Sequence, residues 1–500
     1  MPRSSARHAL TLMIGTLASR ISGLVRASLL LQLFPQAATD AFNVAWKVPN
    51  LFRELLAEGA LTNSFIPIYK ALPREEGRRL AGALFAALAL LNALLLGLAI
   101  WTAPWLVGLL LQPDSVVDFE LAVQLTRIIF PVLAAISLSA LAMGILNAEE
   151  RFFAPAWAPV ALNLVVIAVM LLYPGQAPML ALGVVLGGVA QLLVQLPALL
   201  RGRLLPVLSG LWHPSLGLVL LLMAPFALTT GARQVLNLLA TNLLSGLPGG
   251  SITAFENANL LFSLALGLFS ISPALAYYSR LSGEANAPER FLATLTSGVR
   301  LITFLTVPAG LLMFFLAVPA VNAIWNLSPA AGQEQTILFT IWAVAPLGLA
   351  VFPWGVNNLL LRPFYIRQQV RTPIVISLSF VALNGLLFVL LAPRYGLTGM
   401  AWASVAVGWL QLLVLLYRLR HAEGFSPLAF AAHAGRVWAA ALPAAGAAWA
   451  LVAWLPWPVG WLGWAMQVGV GGIVAGLIFA GLALALKIPE MAVSARLWRR

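Results

Sequence analysis

The feature that most constrains this chain is a succession of apolar segments, each about 20 residues or longer, running from end to end. Such a segment can leave water only as a helix or as part of a closed barrel, because hydrocarbon offers backbone N–H and C=O groups no partner. Polar or Pro/Gly breaks separate roughly fourteen of them. They cover 9–34, 39–69, 80–111, 119–148, 154–174, 178–200, 215–246, 251–280, 291–322, 335–361, 372–392, 397–419, 433–455 and 462–486. The runs are continuous and far longer than the ~10-residue alternating strands of a β-barrel. Of 500 residues, 61% are hydrophobic and 9% charged, against about 25% charged in soluble proteins. The expected fold class is an all-α polytopic membrane protein of about fourteen transmembrane helices.

Loop charges support the even count. One set of loops and loop edges holds Arg3, Lys70, Arg74, Arg78, Arg151, Arg201, Arg280, Arg362, Arg367, Arg420 and Lys487 among its many basic residues. The alternate set, "PQAA", "PDSVVD", "PGQA", "SGLPGG", "NLSPAAGQEQ", "APRYG" and "PWPVG", holds only Arg394. Basic loops stay in the cytoplasm, so both termini are expected there. The basic N-terminus lacks a small-residue cleavage site and reads as a retained first helix. The net charge of +13 is read as loops facing anionic lipid, with no nucleic-acid partner. There is no cysteine, and the four histidines lie near expected loop ends, so no metal centre is expected. With no large soluble insertion, the chain offers no extramembrane catalytic domain.

The exception to apolarity is "TDAFNVAWKVPNLFRELLAEGALTNSF", Thr39 to Phe65. It carries Asp40, Lys47, Arg53, Glu54 and Glu58, and the preceding span carries Arg20 and Arg26. Each charge at bilayer depth costs about 2.5–3.5 kcal/mol on insertion scales. They must line a watery cavity or pair with one another. Pairing alone would simply lock the two helices together. Cations outnumber carboxylates in the set, however, so surplus positive charge points to an anion. A guanidinium fork suits phosphate oxygens. The residues therefore predict a transporter of a phosphate- or diphosphate-bearing substrate, with Pro49 letting the second span bend. Arg233 in the seventh span is a further cavity candidate, ahead of Arg127 and Arg300. From Val437 to Leu486 there is no charge, many small residues, and Trp454, Trp457, Trp461 and Trp464 at the outer turn. Two readings stand: ordinary membrane anchoring, or a lipid-facing groove.

Several segments resemble a known family. "LASRISGLVR", "ATDAFNVAWKVPNLFRELLAEGALTNSFIPIY", "FPVLAAISLSALAMGILNAEERFFAPAWAPVALNLVV" and "LALGLFSISPALAYYSRLS" are similar to the MurJ/MviN lipid II flippases of the MOP exporter superfamily. The resemblance implies two pseudo-symmetric six-helix bundles, expected here over 1–203 and 204–421, around a V-shaped cavity. It implies two extra helices, within 422–500, bordering a groove for an undecaprenyl tail. It implies no enzyme activity and no cofactor: the family moves lipid II, an undecaprenyl-diphosphate sugar-peptide, from inner to outer leaflet by alternating access. Arg20, Arg26 and Arg53 look equivalent to the family's cavity cations. Asp40, Lys47 and Glu58 also fall on its motif positions.

The chain departs from the family pattern at several places. Ala27 stands where Asp is common, and Leu260 stands where the family usually carries arginine, with Glu256 and Asn259 nearby. Arg233 is the residue that could compensate. Thr241 replaces an acidic residue of the seventh span, and Asn384 with Phe388 remains of a polar pair in the eleventh. Those groups bind sodium in relatives, so a sodium site is not expected here. No Walker sequence occurs, so transport is expected to draw on the membrane potential or on a sodium or proton gradient. The expected partners are lipid II or a related undecaprenyl-diphosphate lipid and membrane lipids, with cell-wall synthesis enzymes a further possibility at the cytoplasmic loops. The rival readings are export of another polyprenyl-diphosphate sugar or a cationic drug, a non-transporting scaffold, and, most distantly, a membrane transferase.

Overall fold

The computed structural model describes residues 3–56, 60–208 and 210–491, and every regular element among them is helical. The chain forms two compact units, residues 1–252 with 329–333, and residues 253–328 with 334–500. In the first lie α1 (Arg3–Leu33), α2 (Gln36–Leu56), α3 (Ala60–Ala71), α4 (Arg74–Leu110), α5 (Phe119–Ile129), α6 (Val132–Ala148), α7 (Phe153–Leu172), α8 (Ala177–Leu193), α9 (Leu196–Gly202) and α10 (Leu216–Ser245). The packing boundary falls after Ile252, whereas the repeat read from sequence divides at 203/204. The difference is α10, which packs on α2, α3 and α4.

Lipid tails give no hydrophobic drive between helices, so close packing of small residues must supply it. Gly15, Ser19 and Gly23 recur every four residues on one face of α1. A Cβ at Gly15 would stand 2.6 Å from the Cβ of Ala156 on α7. Asn163 of α7 then donates through Nδ2 to Ser22 Oγ (3.0 Å) and to the Ser19 carbonyl (3.2 Å). The opposite face of α1 exposes Ile14, Leu17, Ile21 and Val25.

The loops of the first unit sort by charge. At one end Arg74 donates to the Gly202 carbonyl (2.7 Å), Arg78 to that of Leu205 (3.1 Å) and Arg151 to that of Ala198 (3.1 Å). Basic loops far apart in sequence thus meet. The non-basic loops meet one another in the same way. Gln36 N–H donates to Ala331 (3.1 Å), Ala330 N–H to Leu31 (2.9 Å), and Gln112 N–H to Ser245 Oγ (2.9 Å).

The second unit contains α11 (Ser251–Leu266, whose first two residues belong to the first unit), α12 (Ser272–Gly283), α13 (Pro288–Phe315), α14 (Ala317–Trp325), α15 (Gln333–Leu360), α16 (Arg362–Ile366), α17 (Arg371–Glu423), α18 (Pro427–Trp454) and α19 (Trp461–Ala485). A π-helical turn, Gly267–Ile271, joins α11 to α12. Helices α13 and α15 cross backbone to backbone: a Cβ on Gly310 would lie 2.4 Å from the Gly348 carbonyl oxygen, and one on Gly348 2.6 Å from that of Gly310. Helix α18 lays an alanine-rich face, including Ala440, Ala441, Ala444 and Ala445, into the core it shares with α13. Among the loops, Arg367 is a three-way junction. Its Nε and one Nη each donate to Glu423 at 2.8 Å, and its other Nη donates to the Ala285 carbonyl at 2.6 Å.

Eleven helices among the described residues are long and apolar enough to cross a membrane. One of them, Arg371–Glu423, contains Gly396 at φ 58 and ψ −148, which divides it into two spans. Counting those two separately, and adding α2–α3 and α10, gives the fourteen spans expected from sequence. Helix α2 escapes the apolarity criterion because it carries Asp40, Lys47, Arg53 and Glu54 within 21 residues. The molecule is an all-α polytopic membrane protein. Some spans are interrupted in ways that hydropathy conceals: Pro131 separates α5 from α6, and α13 breaks at Leu316 before α14.

The Gly310–Gly348 crossing yields a test. Gly348→Val should lower the detergent melting temperature and the yield of monodisperse protein, because overpacking costs about 1–3 kcal/mol or more. Gly446→Val, where an added Cβ meets nothing within 4 Å, should leave both near wild type.

Candidate functional site

Helix α2 gathers much of its polarity along one seam. Asp40, Asn43, Lys47, Asn50 and Glu54 follow one another at alternating spacings of three and four residues, which places them on one helical face. Pro49, buried in the same helix, removes the donor that the Ala45 carbonyl would otherwise receive. Helix α2 continues through Pro49, two residues beyond Lys47.

The seam ends in a hydrogen-bonded cluster. Arg53 donates through Nε to Asn50 Oδ1 (2.9 Å), and an Nη lies 3.6 Å from Glu54 Oε1. Asn50 Nδ2 donates to the same Glu54 oxygen at 3.0 Å. The other Glu54 oxygen accepts from Gln234 Nε2 of α10. Glu54 thereby ties α2 to α10 while aiming the Arg53 guanidinium, whose side chain remains 23% exposed. Sequence reading did not single out Asn50 or Gln234. The seam spacing could have found Asn50. Gln234 is a lone amide in an apolar helix, next to Arg233, and had no comparable signal.

Arg26 of α1 lies within the electrostatic field of Arg53. Arg26, Arg20 and Lys47 are all half-buried. Arg26 on α1 and Arg53 on α2 are thus like charges on two helices of one unit. Like charges at close range repel unless water or an anion intervenes. Arg233 is exposed on α10, one residue before the Gln234 that holds Glu54, and lies on the same helical face as Asn237.

Asp40 is used differently. It is 3% exposed and accepts the Gly250 N–H at 2.5 Å, just before α11 begins. A carboxylate there satisfies a backbone donor at the start of a helix. Glu58 lies outside the described residues. Asn259 and Leu260 are half-buried on α11 in the second unit. Two positions earlier on that helix, Asn257 is 5% exposed, and its Nδ2 has no partner among the described residues. On α17, Phe388 meets Phe255 edge to face with centroids 6.2 Å apart. One turn before it, Asn384 is buried with its Oδ1 unpartnered among the described residues.

A family model described as lipid II flippase MurJ matches residues 31–466. A lipid II flippase MurJ from Burkholderia cenocepacia is 32% identical over 442 residues, covering 84% of this chain and 85% of its own. A probable lipid II flippase MurJ from Rhizobium meliloti is 30% identical over 480 residues, covering 89% and 86%. Among solved structures, a lipid II flippase MurJ in an inward closed conformation has a TM-score of 0.80 at 21% identity, covering 95% of this chain and 99% of that one. An inward-facing multidrug resistance transporter of the MATE family and MOP superfamily scores 0.68 at 16% identity, covering 84% and 99%. At those identities the structural likeness speaks for the fold. The sequence matches span most of both chains, and with them the chain belongs to the MurJ lipid II flippase family.

Proposed function

We propose that this protein flips lipid II, the undecaprenyl-diphosphate-linked peptidoglycan precursor, from the inner to the outer leaflet of the bacterial cytoplasmic membrane. The observation that carries the reading is the match of residues 31–466 to the lipid II flippase family, with Arg20, Arg26, Lys47 and Arg53 set in α1 and α2. Glu54 and Asn50 hold the Arg53 guanidinium from the same helix. A diphosphate head would answer the positive charge of these side chains, each guanidinium offering paired N–H donors to phosphate oxygens. Arg20, Lys47 and Arg233 would extend the positive field around the head. Asp40 supports the machinery through Gly250. Glu58 belongs to the same motif.

Transport follows alternating access about this cationic cavity, with 1–203 and 204–421 as the repeat-related halves and 422–500 bordering the tail groove. The basic loops and both termini face the cytoplasm, where wall-synthesis enzymes could dock. Coupling is to the membrane potential, which acts on charge at about 2.3 kcal/mol per charge per 100 mV. Asn384 alone is a poor sodium site, since a hard cation calls for several oxygens. A second reading, export of another polyprenyl-diphosphate sugar, is favoured by Leu260 standing where relatives usually place a cation.

Two predictions follow from the cation pair and from Leu260. In a bacterium depleted of its own lipid II flippase, this chain should restore growth and the arrival of lipid II in the outer leaflet. Arg26→Ala and Arg53→Ala should each abolish that rescue while the protein still inserts in the membrane. Full activity in both variants would refute the anion site. Leu260→Arg should preserve rescue if the head group is lipid II. Failure of the unsubstituted chain to rescue, while folded and inserted, would favour a different lipid-linked sugar.

A further inference from the structure

Helix α5 carries a second polar stripe, remote in sequence from the cation pair. Glu120, Gln124 and Arg127 are all exposed and fall at i, i+4 and i+7, on one face. The neighbouring residues Ala122, Val123, Leu125, Thr126 and Ile129 are buried. With Pro104 of α4 the stripe lines a cavity of about 450 Å³ that also takes in Phe119, Val123 and Ile128. The surrounding α4 surface is apolar and outward-facing: Trp101 is 81% exposed and Trp105 65%. Exposed tryptophans of this kind mark the membrane interface. The stripe begins at the loop 113–118, one of the non-basic loops.

Arg127 is held in place by a defect in α4. Pro104 has no N–H, so the Ile100 carbonyl four residues earlier lacks its helical donor. Arg127 Nε donates to that carbonyl at 3.1 Å. This contact fixes the plane of the guanidinium. Both of its Nη groups are left without a protein hydrogen bond among the described residues. Glu120, about 10 Å of helix rise nearer the loop, has no ion pair there either. Helical side chains lean toward the N-terminus, which carries the Arg127 head toward Glu120. The cavity thus presents a cation at its deeper end, an amide between, and a carboxylate at its shallower end.

We infer that this groove binds one zwitterionic aminophospholipid of the leaflet at the non-basic end. The order of charges identifies it. In such a lipid the phosphate lies next to the glycerol and the primary ammonium lies further out, matching Arg127 below and Glu120 above. A lipid-linked diphosphate, with greater negative charge and a bulky sugar, is disfavoured by Glu120 and by the cavity's size. An anionic phospholipid without an amine would leave Glu120 unanswered. The apolar walls from Pro104, Val123 and Ile128 take the start of an acyl chain.

Native mass spectrometry of the full-length protein, purified and presented with phosphatidylethanolamine, phosphatidylglycerol or phosphatidylcholine of identical chains, tests this. The wild type should retain phosphatidylethanolamine in preference to the other two. Arg127→Gln should weaken that retention on the order of tenfold, the size expected for a charge-assisted hydrogen bond. Glu120→Gln, at an exposed position, should abolish the preference over phosphatidylglycerol while leaving total lipid retention intact. Equal retention of the three lipids by the wild type would overturn the inference. Unchanged preference in Glu120→Gln would overturn it too, and that variant decides the matter if Arg127→Gln does not fold.

Discussion

The carboxylate of Glu54 is the interaction on which the functional part of the first unit depends. In hydrocarbon, a guanidinium is tolerable only where its charge is answered or wet. Glu54 answers Arg53 partially, from one residue away on the same helix, and spends its second oxygen on Gln234 of α10. The arrangement on α2 restrains the cation from within its own helix. Contrast Arg367, whose fork is filled by Glu423 and by the Ala285 carbonyl, and which lies 4.6 Å over the Phe291 ring. Arg367 is built into a junction between loops, whereas Arg53 belongs to a polar cluster on a membrane helix.

Around that charge, shape does the rest. The helices approach one another where side chains are smallest, at Gly15 against Ala156 and at Gly310 against Gly348. Close approach is the attraction available in lipid, where burying a leucine against a neighbour gains little over leaving it among acyl chains. The same logic explains why so many large apolar residues remain exposed on α4.

Much of this was legible in the sequence because the bilayer reduces the choices. Continuous apolar runs can only be helices, and the sorting of Arg74, Arg78 and Arg151 from "PQAA" and "SGLPGG" reappears as loops bonded to their own kind. The family segments led to Arg26 and Arg53, which the fold sets on two helices of the first unit. Other features depend on three-dimensional neighbours that spacing does not reveal. Asp40 reads as a cavity charge until Gly250, 210 residues away, is found donating to it. Gln234 becomes important only because Glu54 reaches it. The breaks at Pro131 and Leu316 are hidden because hydropathy averages over them.

The π-helical turn at Gly267–Ile271 has a consequence for comparing this chain with its relatives. A π turn takes in about one residue more than an α turn. Everything after it is therefore rotated by roughly 100° relative to an uninterrupted helix. A helical wheel drawn through the whole span from Ser251 to Gly283 would put Tyr277 and Tyr278 in the wrong sector relative to Asn257 and Asn259. If a homologue lacks the inserted residue, its wheel and this one agree on only one side of Gly267. Residue-by-residue transfer of lining positions in this span must then be phased separately above and below the turn.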